Sequence, residues 1–169
     1  MANKKYLLKP ITGTIKGGFT LVDENEKLVY EARMSKFKLF GASPYDFTNY
    51  LTNKKEEHKV GKTVTQEESG LASAISTKSY FKFDGENIWD YLHDKGIRID
   101  SSLADRKIGM SYDVTFEGKP FAKIASSSPK GKSFITTSMF YDLECDEKDL
   151  DLAFLVAFAI GSTEQIFYN

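Results

Sequence analysis

The sequence predicts a mainly β protein with helices (α+β), in which a closed antiparallel β-barrel wraps a single buried helix near the C-terminus. Three observations predict it. From Leu152 to Ile160 no residue is polar, so this helical stretch lacks a solvent face and must be enclosed by protein or by lipid. Its apolar run rises only about 14 Å as a helix, against a hydrocarbon core of about 30 Å, so enclosure by protein wins. The second observation is that most of the chain alternates apolar and polar residues in short runs bounded by turn residues, the pattern of strands wet on one side. The third is topological: such strands can turn one face to the helix, and closing the sheet around it removes exposed edges.

Taken in order, Tyr6 to Ile11 reads as a first strand, with Pro10 tolerated at its end. Phe19 to Glu24 and Lys27 to Met34 form a hairpin across Asn25-Glu26, with Leu28, Tyr30, Ala32 and Met34 on one face. Ser35 to Phe40 alternates again, setting Phe37 and Leu39 against Lys36 and Lys38. Gly41-Ala-Ser-Pro44 turns the chain, and Tyr45 to Leu51 is another strand. Asn53 to Glu57 reads as a solvated connection whose charges cancel. Val60 to Thr65 and Leu71 to Ser76 are strands separated by a loop at Gln66 to Gly70, and Ser79 to Phe83 is a strand ended by Asp84-Gly85. Glu86 to Lys95 is an amphipathic surface helix, with Asp84 near its start, Ile88, Tyr91 and Leu92 at helical spacing and Gly96 placed to end it. Asp100 to Arg106 reads as a loop. Met110 to Phe116 and Pro120 to Ala125 make a second hairpin, and Ser133 to Leu143 a long final strand. Asp146 caps the last helix, and Glu147, Asp149 and Asp151 lie where its dipole favours negative charge. Roughly nine or ten strands, one surface helix and one buried helix result.

The chain is 169 residues, 41% hydrophobic, which suits one domain spanning 1–169 with a real core. Its 23 Lys plus Arg nearly cancel its 24 Asp plus Glu. No global field therefore draws in nucleic acid or an anionic bilayer, and any anion site must be local. A single cysteine, Cys145, excludes an internal disulfide framework. The N-terminal stretch has too short an apolar run for a signal peptide, and cytoplasmic residence is expected.

The opening strands, Tyr6-Leu-Leu-Lys and Phe19-Thr-Leu-Val-Asp-Glu-Asn-Glu-Lys-Leu-Val-Tyr30, followed by hairpins and an all-apolar C-terminal helix introduced by acids, resemble the tubby C-terminal and LURP-one-related superfamily. The resemblance implies a barrel of about ten to twelve strands closed on a hydrophobic central helix. It covers nearly the whole chain in architecture, while Tyr45 to Lys78 departs from the LURP-one pattern and the Glu86 to Lys95 helix looks like an insertion. It implies a non-enzymatic module that binds anionic phospholipid headgroups or phosphorylated ligands through basic surface residues, peripheral to a membrane. The small chain looks most like the bacterial members.

The candidate anion contacts are two local groups. Lys36 and Lys38 project from one strand face, though lysines there also deter edge pairing. Lys130, Lys132 and Ser133 lie in the hydroxyl-rich loop Ser126 to Ser133, which equally suits a plain hairpin tip. Gly131-Lys132-Ser133 is not a P-loop, because Ser126 stands where that motif needs glycine and a strand follows instead of a helix. No cofactor is implied. His58 and His93, with no cysteine partner nearby, make a poor zinc set. Cys145 beside the helix start is either a thiol of lowered pKa or a small apolar residue. Trp89 is a packing anchor or part of an exposed partner surface, and a protein-interaction role through the Glu86 to Lys95 helix is the alternative function.

Overall fold

The computed structural model describes residues 3–11, 16–39, 41–68, 75–103, 110–127 and 140–168. Within these it describes the side chains of all but 62–68, 75–81, 101–103, 110, 127 and 163–168. Strands β1 (Lys4–Pro10), β2 (Gly18–Val22), β3 (Leu28–Met34), β4 (Ser43–Asn49), β5 (Lys54–Glu68), β6 (Ile75–Phe83) and β7 (Glu86–Asn87) precede helix α1 (Ile88–Asp94). Strands β8 (Ile97–Leu103), β9 (Met110–Phe116), β10 (Lys119–Ser127) and β11 (Phe140–Cys145) follow. A 3-10 turn at Glu147–Asp149 then leads into α2 (Leu150–Tyr168).

All eleven strands form one antiparallel sheet in the order β7-β6-β5-β4-β3-β2-β1-β11-β10-β9-β8. Pairing of β1 with β11 joins the two halves of the chain, Tyr6 standing opposite Leu143. The sheet is not closed by hydrogen bonds: β7 and β8 are its two ends. Helix α1 joins those ends in sequence and touches β6, β8 and α2. Its start is capped by Asn87, whose side chain accepts from the Trp89 and Asp90 amides, satisfying donors that have no partner inside the helix. Gly96, at φ +94, ends it, a backbone conformation that favours glycine.

Helix α2 occupies the space inside. Every residue from Ala153 to Gly161 is buried, so the stretch has no solvent face. Tyr30 stacks on Phe154 at 4.2 Å between ring centroids, and Phe47 meets Phe158 edge-on at 5.1 Å. Leu8, Leu21, Ile124 and Leu143, all fully buried, point inward from the central strands.

The structure departs from the sequence reading where pairing overrides local pattern. Ser35 to Leu39 is a loop joining β3 to β4, not a strand, because the chain must reverse there for β4 to pair antiparallel with β3. Lys54 to Glu57 is the start of β5 and not a connection, although its side chains are exposed as expected; it pairs with β4 from Asn49↔Lys54 to Asp46↔Glu57. Lys54 lies 3.0 Å from Glu56, and Lys55 lies 3.5 Å from Asp46. Gln66 to Glu68 and Asp100 to Leu103, read as loops, extend β5 and β8. A register shift in the first hairpin sets Leu21 opposite Tyr30 but Val22 opposite Leu28. Val29 therefore turns inward and Leu28 outward, reversing the expected placement of Leu28. Helix α1 begins at Ile88, and Asp84 sits in the preceding turn at φ 52. Of the expected strand Ser133 to Leu143, Phe140 to Leu143 belong to β11 and the rest lie outside the described residues.

Two predictions follow from the enclosure of α2. Deleting the chain from Asp146 onward is expected to leave aggregated material without a cooperative melt; a soluble, cooperatively melting product would remove α2 as the core. Alanine in place of glycine inside a helix ordinarily stabilises by about 0.5 to 1 kcal/mol, but a Cβ on Gly161 would lie 2.8 Å from the buried Phe19 ring. Gly161→Ala is therefore expected to destabilise by about 1 to 3 kcal/mol, read by urea denaturation.

Candidate functional site

Lys36 and Lys38, expected on a strand face, stand in the Ser35–Leu39 loop and are exposed. Between and beyond them Phe37 is 45% and Leu39 76% exposed. Neither lysine has an ion-pair partner among the described residues, in contrast to Lys54 and Lys55. The other expected anion contacts, Lys130, Lys132 and Ser133, lie outside the described residues. The loop's place follows from how α2 runs. Asp151 near its start bonds Tyr30, while Gly161 further on lies against Phe19, whose strand partner is Ala32. Helix α2 thus runs in the same sense as β3, and the loop leaves β3 at the end toward which α2 points.

At the opposite end, beside the first turn of α2, is a cavity of about 380 Å³. Rings of Tyr30, Phe47, Phe83, Tyr91 and Phe116, with Leu152 and Leu155 of α2, supply its apolar walls. Its polar groups are Lys54, Glu56 and His58 from alternate positions of β5, Lys95 just after α1, and Asp151. Strand alternation explains the first three, since residues two apart share a face.

The polar groups form two sets. Glu56 lies 3.0 Å from the Lys54 ammonium and 3.3 Å from His58 Nε2. His58 Nδ1 lies 2.7 Å from Asp84 Oδ2, and Asp84 Oδ1 accepts from the Lys59 amide at 2.8 Å. The hydrogen bond from Lys54 holds the Glu56 carboxyl below its ordinary value, and the same contact raises Lys54. The imidazole is clamped between rings, tilted on Phe83 at 4.5 Å and edge-on to Phe47 at 5.2 Å. In the second set Asp151 Oδ1 accepts from the Tyr30 hydroxyl at 2.9 Å and from Asn49 Nδ2 at 3.1 Å. Burial, and then the charge of Asp151, push the Tyr30 hydroxyl far up, so it remains a donor.

This cluster went unread in the sequence because Lys54 to His58 looked like a solvated charge run and Asp84 like a helix-start signal. Only the pairing of β5 between β4 and β6 brings His58 to Asp84 and sets Lys54, Glu56 and His58 on the cavity wall. The period-two spacing of Lys54, Glu56 and His58 was the available clue.

The described lining contains no serine, threonine or cysteine. A histidine between two carboxylates can accept or pass a proton. Among the described residues no group of three or more His, Cys, Asp or Glu side chains could hold a metal ion. Cys145 is fully buried on β11, and burial pushes its thiol up to about 12. It is a packed apolar residue, not a thiol of lowered pKa. Trp89, partly buried, packs against the core as an anchor, and Ile88 and Leu92 turn the apolar stripe of α1 inward. His93 is exposed in the last turn of α1.

Comparison with known proteins finds no matching family model, no matching curated protein and no matching solved structure.

The state of Cys145 yields a chemical prediction. Because the thiolate is the reactive form and a thiol near 12 stays protonated, iodoacetamide at pH 8 is expected to leave the folded chain unmodified and to label it only in urea. Mass spectrometry reads the outcome; rapid labelling of the native chain would contradict the packing of β11.

Proposed function

We propose that the chain is a non-enzymatic, tubby-like binding module, its sheet wrapped into a barrel with α1 across the gap, that docks reversibly on an anionic lipid surface. The observation that carries the reading is the Ser35–Leu39 loop. It presents two bulky apolar side chains, Phe37 and Leu39, to solvent, alternating with two lysines that have no acidic partner among the described residues. Apolar tips between free cations suit the boundary between headgroups and acyl chains. A soluble phosphorylated ligand would engage the lysines and leave Phe37 and Leu39 in water, so the bilayer is favoured.

The magnitudes fit a weak, reversible contact. Burying each apolar side chain contributes at most about 1.5 to 3 kcal/mol, and each lysine near an anionic surface about 1 kcal/mol. The sum lies in the range of about millimolar to micromolar binding before the cost of orienting the protein. No helix of the described residues is long and apolar enough to cross a membrane, so the reading is of a protein that lies on a surface, with the anionic cytoplasmic leaflet as its expected target. Docking of a protein partner through α1 is less well supported, because Ile88 and Leu92 are buried within the fold.

Flotation with liposomes tests this. The chain is expected to float with vesicles containing phosphatidylserine at low salt, to float poorly with pure phosphatidylcholine, and to be released as ionic strength rises and screens the lysines. Lys36→Glu with Lys38→Glu, and separately Phe37→Ser with Leu39→Ser, are each expected to reduce flotation at least tenfold. No preference for anionic vesicles, or flotation unchanged in both double variants, would overturn the reading.

A further inference from the structure

We propose that the cavity beside the first turn of α2 is a binding site for a small organic anion with a flat apolar body, in its simplest form an aromatic carboxylate. The site is independent of the lipid-docking loop, which lies at the other end of α2.

Size and wall chemistry set the body of the ligand. At about 380 Å³ the cavity falls near the lower end of the range of small-molecule sites, about 300 to 1,000 Å³. The walls are aromatic rings, with Phe47, Phe83 and Tyr91 contributed by three different elements. Such walls favour offset or edge contacts with another ring over contacts with a polar chain.

The charge pattern sets the sign of the ligand. Every carboxylate around the cavity already has protein donors. Glu56 is held by Lys54, Asp84 by the Lys59 amide and Asp151 by Tyr30 and Asn49, while His58 stands between Glu56 and Asp84 and as a neutral ring donates to one of the two. Among the described residues both donors to Asp151 fall on Oδ1, so Asp151 Oδ2 is the one carboxylate oxygen of the three acids left to meet a cation, with the charge already partly offset by those donors. The ammonium groups are less evenly matched: Lys54 is paired, but Lys95 has no carboxylate partner among the described residues. Its Nζ stands 4.8 Å over the Tyr91 ring, exposed at the cavity. The ring contact attracts the ammonium without neutralising it, so Lys95 is the group left to meet an anion. A carboxylate bound there directs the ligand's rings toward Phe47 and Phe83.

Calorimetric titration of the full chain with 1-naphthoate and with 1-naphthylmethylammonium, probes of similar body and opposite charge, tests the proposal. One naphthoate is expected to bind per chain, at least tenfold tighter than the ammonium probe. Lys95→Met, which keeps the stem over Tyr91 and removes the charge, is expected to weaken naphthoate at least tenfold. Lys95→Glu is expected to reverse the preference, with thermal melts showing both variants folded. The proposal is overturned if the wild-type chain binds both probes equally, prefers the cation or binds neither at millimolar concentration, or if folded Lys95→Met binds naphthoate as the wild type does. The two-probe comparison on the wild-type chain needs no variant to fold.

Discussion

Burial of α2 on every side is the constraint on which the rest of this structure depends. A helix that is apolar around its whole circumference cannot rest on one face of a flat sheet without exposing the other. Strands must cover it from more than one side, and those that reach it belong to a single antiparallel sheet of eleven. The contacts are specific as well as apolar. Phe19, Tyr30, Tyr45 and Phe47 bring rings from three consecutive strands onto Phe154 and Phe158, and the lack of a side chain at Gly161 lets the Phe19 ring approach the helix axis closely.

A sheet wrapped on a helix has to resolve its two ends. Here β7 is only two residues long, so it cannot offer β8 an extended partner, and α1 lies between the ends instead. The cavity beside the first turn of α2 is lined from several elements, β5, α1 and α2 among them. Its polar groups come from elements with different reasons to be there: β5 supplies alternate positions, α1 its last residues, and α2 an acid at the positive end of its dipole.

The two ends of the molecule therefore differ in kind. At one, the exposed Phe37 and Leu39 alternate with two lysines that have no acidic partners among the described residues. At the other, aromatic walls are fixed by the core and the charges are largely matched, which suits a ligand of defined shape.

How much of this was legible depends on how local each signal is. The apolar run Leu152 to Ile160 dictated a buried helix by itself, since no surface position suits it, and Glu117-Gly118, Asp84-Gly85 and Gly96 marked turns through their own backbone preferences. Alternation located most strands but misled at Ser35 to Leu39, because period-two patterning gives a segment two faces without giving it a partner. Charge misled at Asn53 to Glu57 for the converse reason: side chains exposed to water carry no sign that the backbone from Lys54 onward pairs with β4. The sequence by itself determined the buried helix, the β class and most turns, all of which follow from interactions within a few residues. Only the tertiary structure decided the open seam, the role of α1 across it and the meeting of His58 with Asp84, because these depend on which strand lies beside which, and side chains 26 positions apart carry no local record of that.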